Sequence, residues 1–477
     1  MTILNSPANK GFQFRPYLLL SLALLVVAFA ISCKKEPRIE SVDFTQVEFA
    51  DFVEPDFPYI TTSMDARNLG PGFPTDNISA RVLAMRLGDS AYASFDPDML
   101  RWSVAWTGDF LPMVTMAQIS YKDFYDKNNK IPRIGGDPHF ATGQYPGWSV
   151  GEPVFTDPRP ANPYPNAPSW GPLAADEVRW EGHYLVDDEL VLSYTVNDVS
   201  VLEKPGVVQQ DGQSLFTRNF KLSPTKSKLF LVLAEVTDGV SMEIKGETGY
   251  LYHGENANLV TAVSLVGTSS GSEILIKDNR YIYLSIPSDS KSREFVVGVW
   301  HGTKENQQQV EVLATKTDTS FPKVREGSQP RWKEKVLTKG QLAPDTALFV
   351  TDKLTLPVPN PWNRNVRVVD MAFFNKKKAA VVTFEGDVWI LDGISSKLDK
   401  LAWKRFASGF YEPQSIAIVD EEIYVYGKEG IVRLHDLNGD GEADFYENFS
   451  NLMAQSIETR EWASDMVVDP AGGFYIA

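Results

Sequence analysis

One order of residues occurs three times towards the C-terminus, and it restricts the fold more than any other feature of the chain. Val368-Val369-Asp370-Met371-Ala372-Phe373 leads into Ala380–Thr383, a turn at Glu385-Gly386-Asp387, then Val388-Trp389-Ile390-Leu391. Gln414-Ser415-Ile416-Ala417-Ile418-Val419 leads likewise into Ile423-Tyr424-Val425-Tyr426, Lys428-Glu429-Gly430, then Ile431-Val432-Arg433-Leu434. A third copy begins at Ser464-Asp465-Met466-Val467-Val468-Asp469 and reaches Gly473-Phe474-Tyr475-Ile476-Ala477. Asp370, Ser415 and Asp465 hold equivalent places, so the steps, 370 to 415 and 415 to 465, are 45 and 50 residues. Four short strands in such a period are the unit of a β-propeller. A propeller closes with roughly four to eight units, and residues 363–477 supply two and the start of a third. The expectation is an incomplete propeller in the N-terminal part of a longer protein.

The rest of the body also alternates with a period of two. Leu190–Val196, Lys228–Val236, Glu273–Ile276, Tyr281–Ile286, Phe295–Trp300 and Gln309–Leu313 are rich in β-branched and aromatic residues. Turn residues bound each run, as strands require. Helical periodicity is confined to Ser450–Trp462. The expected fold class is therefore all-β: a sandwich-like domain over 57–314, a proline-punctuated linker over 315–362, then the partial propeller. Pro132–Pro172 holds ten prolines in 41 residues, too many for a regular ladder. It reads as a long ordered loop whose aromatics, Tyr145, Trp148, Tyr164 and Trp170, either pin it down or form a carbohydrate platform.

The N-terminus reads as an address. Lys10 and Arg15 precede the apolar run Leu18–Ser32, 15 residues long, against the ~20 that a membrane span needs. A basic start before such a run is the pattern of an export signal. Cys33, the single cysteine, follows it directly. The arrangement resembles a bacterial lipoprotein signal, although Ala30 stands where leucine is usual. The resemblance implies cleavage before Cys33, lipidation of its thiol and a membrane anchor. Lys34 after the cysteine, in place of aspartate, implies the outer membrane, facing the periplasm or the outside. Residues 34–56 then form an acidic tether.

A second resemblance spans most of 60–477. Met64-Asp65-Ala66-Arg67-Asn68-Leu69-Gly70, Gly88–Asp96 and Leu100–Gly108 resemble an uncharacterised N-terminal domain of large exported bacterial proteins. In those proteins it precedes a propeller similar to quinone-dependent sugar dehydrogenases, often with a cytochrome c-like haem domain behind it. Arg433–Tyr446 resembles their blade-connecting loop. The resemblance implies an oxidoreductase-like whole acting on sugars or small polyols, with quinone or haem parts beyond Ala477. It assigns no catalytic residue within this chain. The rival reading is a non-enzymatic surface lipoprotein that holds a polysaccharide or a protein.

Charge excludes one class of partner. Lys and Arg total 46 against 62 Asp and Glu, a net of -16, which disfavours nucleic acid. One motif has metal-ligand spacing. Asp436, Asn438, Asp440, Asp444 and Glu447 stand at loop positions 1, 3, 5, 9 and 12. Gly441 stands at position 6, and Glu442 at position 7 offers its backbone carbonyl. Calcium takes 6–8 oxygens at ~2.3–2.6 Å, which such a loop can supply; the alternative is a metal-free turn. His139, His183, His253, His301 and His435 are scattered along the sequence and read as structural. Glu412, at the opening of the second repeat, and the pairs Asp96/Asp98 and Asp187/Asp188 are the remaining acid–base candidates. Each is more simply a solvated or turn carboxylate.

Overall fold

Alternation becomes burial in the structure, a computed structural model. It describes residues 2–5, 57–111, 131–162, 171–267, 271–453, 455–457 and 464–477. Along the strand Glu189–Val196, Leu190, Leu192, Tyr194 and Val196 are buried, while Ser193 and Thr195 stay partly exposed. Each fully buried side chain of this kind contributes ~1.5–3 kcal/mol. The chain is all-β, with several antiparallel sheets and no closed propeller among the described residues.

Nine strands form one large sheet, running from Glu273–Lys277 at one edge through Arg101–Asp109 to Tyr59–Asp65 at the other. Twelve form the second, from Gly239–Lys245 at one edge to Ser415–Val419 at the other. The two meet through aromatic contacts such as Phe140 against Phe216, with ring centroids 5.7 Å apart. Polar side chains in that interior are paired. Arg218 Nε donates to Glu203 Oε1 at 2.7 Å, Trp102 Nε1 donates to the same oxygen at 2.6 Å, and Tyr194 Oη donates to Glu203 Oε2 at 2.6 Å. The pairing answers the cost of burying polar groups.

The second repeat belongs to the twelve-stranded sheet. Its last strand, Phe445–Ser450, pairs with Val178–Val186 of the first half, matching Tyr446 with His183 and Glu447 with Gly182. Gly182 makes this close approach possible: at φ 124°, a Cβ there would lie 2.1 Å from the Tyr446 carbonyl oxygen. The first repeat forms its own sheet of five strands, Val336–Thr338, Leu401–Ala407, Val388–Asp392, Lys378–Thr383 and Val368–Asn375. One of them, Val336–Thr338, comes from within 315–362.

The three repeats meet where the sequence aligned them. Ser415 Oγ donates to Asp370 Oδ2 at 2.9 Å and lies 3.3 Å from Asp465 Oδ1. The Ile416 N–H donates to Asp370 Oδ2 at 2.9 Å. The first strands of all three repeats therefore stand side by side.

Two sequence expectations need correction. Gln309–Leu313 alternates like a strand, yet Gln309–Ala314 is an α-helix. Val310 and Leu313, three apart, face the core, and Val312 is exposed. Helical spacing wins because one face of this segment has an apolar surface to cover, against Leu215 and Trp300. The helix expected over Ser450–Trp462 begins instead on the last residue of a strand, and residues 458–462 lie outside the described part. Cys33, the tether 34–56, Tyr164 and Trp170 also lie outside it. No helix among the described residues is long and apolar enough to cross a membrane.

Candidate functional site

The strands Gly430–His435 and Phe445–Ser450 pair from His435 opposite Phe445 onward, so Asp436 to Asp444 is the connecting loop. Gly439 and Gly441, at φ 78° and 87°, allow it to turn back on itself. Asp436 organises it. Its Oδ1 accepts the N–H groups of Gly439 at 2.7 Å and Asp440 at 3.2 Å, and its Oδ2 accepts that of Gly441 at 2.8 Å. Asn438 Oδ1 accepts from the Asp440 N–H at 3.0 Å, and Asp440 Oδ1 from the Glu442 N–H at 3.0 Å. Asp444 closes the loop by accepting the Leu437 N–H at 2.8 Å and the Ser328 N–H at 2.6 Å. Burial raises the Asp444 carboxyl pKa; the two N–H groups oppose this, and the charges of Asp440 and Asp436 add to it.

The six sequence candidates thus separate. Asp436, Asn438, Asp440 and Asp444 share the loop. Glu442 is buried behind it, accepting the Arg331 and Trp332 N–H groups at 2.7 and 2.8 Å and pairing with Lys404 Nζ at 2.9 Å. Glu447 lies on the following strand, bound to Arg433 Nε and His435 Nε2, each at 2.6 Å. Among the described residues, no three His, Cys, Asp or Glu side chains stand in ligand geometry for a metal. The loop therefore fits calcium in part. Three carboxylates and an amide oxygen keep lone pairs available at positions 1, 3, 5 and 9, whereas position 12 is engaged by Arg433.

The loop also forms one wall of a cleft of about 630 Å³ between the first and second repeats. Phe374, Ile390, Phe406, Ile423 and Leu434 are its apolar lining. Four lysines, Lys333, Lys335, Lys378 and Lys404, and five carboxylates, Asp392, Glu421, Glu422, Asp436 and Asp440, also line it. No motif in the sequence announced this cleft, because its lysines come from separate segments.

The other candidates are engaged in structure. Asp96 Oδ2 accepts Ser79 Oγ at 2.6 Å and pairs with Arg101 at 3.3 Å. Asp98 pairs with Arg81 at 2.6 Å, and the same guanidinium bonds the carbonyls of Lys428, Asn451 and Met453. Asp187 sits in a turn at φ 54°, and Asp188 pairs with Arg331 at 2.5 Å. Glu412 is wholly buried at φ 46°. Tyr145 and Trp148 are buried at 2% and 1% exposure, so the proline-rich segment is pinned by them.

The histidines do not stay scattered. His139, His253 and His301 gather between the two large sheets, with ring centroids 6.3 Å (139 to 301) and 5.3 Å (253 to 301) apart. Thr261 Oγ1 lies 3.1 Å from His253 Nε2 and 3.2 Å from His301 Nδ1. Burial pushes His139 down to about 4 and His301 to about 3. His253 is also lowered by burial, against the raising effect of Asp238. His183, stacked on Tyr446 at 4.9 Å, is pushed by burial to about 3.

Comparison with known proteins places one region. Residues 93–203 match the family described as a domain of unknown function, DUF6797. The matched segment covers the core strands Arg101–Asp109 and Val178–Val186 and ends at the buried Glu203. No curated protein matches the chain. Among solved structures, the heparan sulfate lyase HepC of Pedobacter heparinus aligns at 9% identity and a TM-score of 0.24, covering 49% of this chain and 37% of that one. A putative kojibiose phosphorylase from the human microbiome aligns at 9% identity and a TM-score of 0.25, covering 61% and 40%. The chain thus spans under half of each, and alignments at such scores carry no argument about it.

Proposed function

We propose that the chain is the front part of an exported lipoprotein, anchored through Cys33 at the outer membrane, whose repeats are the first blades of a propeller. By its resemblance to propeller-type sugar or alcohol dehydrogenases, the whole protein oxidises a sugar or small polyol, using a quinone or haem part beyond residue 477. The observation that carries this reading is the Asp370–Ser415–Asp465 contact, because it joins consecutive units at the same place in each, as blades around an axis must be joined. The sandwich-like first half then serves as the platform onto which the second blade is hydrogen-bonded. The test is reduction of a quinone-type dye by the full-length protein with aldoses and polyols. Substrate-dependent dye reduction is expected; none with any of them removes the dehydrogenase reading.

A non-enzymatic reading has its own support in the cleft between the repeats. Lysines, carboxylates and apolar side chains lining one cleft suit a bound ligand or peptide, whereas Asp96, Asp98 and Asp188 are tied into ion pairs and Glu412 is buried.

In either reading, the loop Asp436–Glu447 takes a structural calcium ion. The crowding of Asp436, Asp440 and Asp444 supports this, since a divalent cation turns their mutual repulsion into attraction. Calcium binding only to the folded form raises stability by mass action. Millimolar calcium is expected to raise the melting temperature of the full chain and Asp440→Ala to abolish the shift. Magnesium substitutes poorly, because it demands a tight octahedron at ~2.0–2.1 Å. Calorimetry with no binding heat and no melting shift returns the motif to an ordinary turn.

A further inference from the structure

The strand Gly239–Lys245 is one edge of the twelve-stranded sheet. Along it, Val240, Met242 and Ile244 are 57%, 52% and 50% exposed. Met242 and Ile244 alternate, so they share one face, and that face is the one from which the neighbouring Leu251 is buried at 0%; Val240 stands beside them at a bulge between Gly239 and Ser241. An interior-type row therefore continues past the last strand that covers it. Natural sheet edges of this kind are usually blunted; here three apolar side chains stand exposed along one short strand.

Backbone pairing points the same way. The hairpin to Thr248–His253 closes at Lys245 opposite Thr248, and Glu243 pairs with Tyr250. In an antiparallel ladder, hydrogen-bonding groups alternate between the two sides of a strand. Lys245 and Glu243 turn theirs to the hairpin partner, so Met242 and Ile244 turn theirs outward.

We propose that this edge pairs with the same edge of a second copy, antiparallel, about a two-fold axis through Ile244. That register puts the outward N–H and C=O of Ile244 opposite those of its counterpart. It also sets Glu243 opposite Lys245 of the second copy, and Lys245 opposite its Glu243. Opposite charges directly across a strand pair are favourable. Within one copy, the two side chains already form an ion pair of 2.9 Å, so both heads lie on the same face of the strand and reach the same region. A two-fold at Met242 places Glu243 against Ser241 and Lys245 against Gly239, with no charge matched. A two-fold at Glu243 sets like charges together. The axis at Ile244 alone satisfies backbone and charge together, over the three residues Glu243 to Lys245, and it is isologous, as closed dimers require.

The test uses the full-length chain in detergent, with copper-phenanthroline oxidation and non-reducing gels. Hydrogen-bonded residues opposite one another lie ~5.5 Å apart at Cα, within the range a disulfide spans. Ile244→Cys is expected to give a covalent dimer, well above that of the unsubstituted chain with its single Cys33. Adding Glu243→Lys should lower the yield at least tenfold, and adding Lys245→Glu to that variant should restore it. All three positions are exposed or half-exposed on an edge strand, so folding is not at stake. Absence of a dimer beyond the Cys33 background overturns the proposal and leaves the edge to another protein. A dimer indifferent to the charge exchange overturns the register and the axis with it.

Discussion

Asp387→Ala is expected to cost about 3–5 kcal/mol, the range for breaking a buried ion pair on one side. Asp387 is wholly buried, as are the two guanidinium groups it serves. Arg364 Nε donates to its Oδ2 at 2.9 Å, Arg405 Nη2 to its Oδ1 at 2.9 Å, and Ser408 Oγ to its Oδ1 at 2.7 Å. Burial by itself would raise this carboxyl; Arg364 and Arg405 outweigh it and hold the group below its ordinary value. Alanine removes the anion that both buried guanidinium groups share. The Arg405 guanidinium stacks 4.1 Å above Trp332, so it cannot swing to solvent without dislodging that ring. A loss of this size is a large share of the roughly 5–15 kcal/mol that holds a domain together. Asp387→Asn keeps the shape and removes the charge, so it should fall nearly as far. Urea unfolding of the full chain measures both. A loss under about 1 kcal/mol in either variant shows that the arginines find other partners. By linkage, this stabilisation is present above the ordinary carboxyl pKa and disappears as pH falls through the lower folded value.

Local pattern carried much of this architecture. Tyr281–Ile286 is a strand at the bounds its alternation gives, and Leu229–Glu235 lies within the run Lys228–Val236. The three repeats align at Asp370, Ser415 and Asp465 because each needs a polar group at the same inter-repeat contact. Such features depend on neighbours in sequence or on a period. What escaped depends on distant partners. Phe445–Ser450 shows no reason of its own to pair with Val178–Val186, more than 250 residues away. The helix Gln309–Ala314 was hidden because Val310 and Val312 alternate, and only the packed surface reveals that Leu313 is the second anchor. The histidine cluster joins residues 139, 253 and 301, from both sheets, and spacing cannot show a meeting made by a fold. For the loop Asp436–Asp444, the spacing located Asp436, Asn438, Asp440 and Asp444 together, but not that Arg433 and His435 engage Glu447.

Those buried histidines make the fold sensitive to acid. His183 and His301 are pushed to about 3, and His139 to about 4, each chiefly by burial. An unfolded histidine titrates near 6.5. Between that value and the folded one, the unfolded chain binds a proton that the folded chain refuses. Stability is thus full above about pH 6.5 and falls as pH drops below it, by about 1.4 kcal/mol per unit for each such group. Three groups give about 4 kcal/mol per unit. Glu429 works in the opposite sense. Burial pushes its carboxyl up to about 7, so the folded form takes a proton first and gains about 1.4 kcal/mol per unit between pH 7 and 4.5. The net slope is about 3 kcal/mol per unit between pH 6 and 4.5, a loss of about 4–5 kcal/mol, which is a large share of an ordinary domain's stability. The melting temperature should therefore fall steeply over that range. His183→Phe keeps a ring against Tyr446 and removes one titrating group, so it should melt like the parent at pH 7 and show a visibly shallower decline. A melting temperature that stays level from pH 7 to 4.5 would mean that these imidazoles are hydrated in solution. A decline unchanged by His183→Phe would instead assign it to the other two buried imidazoles, His139 and His301.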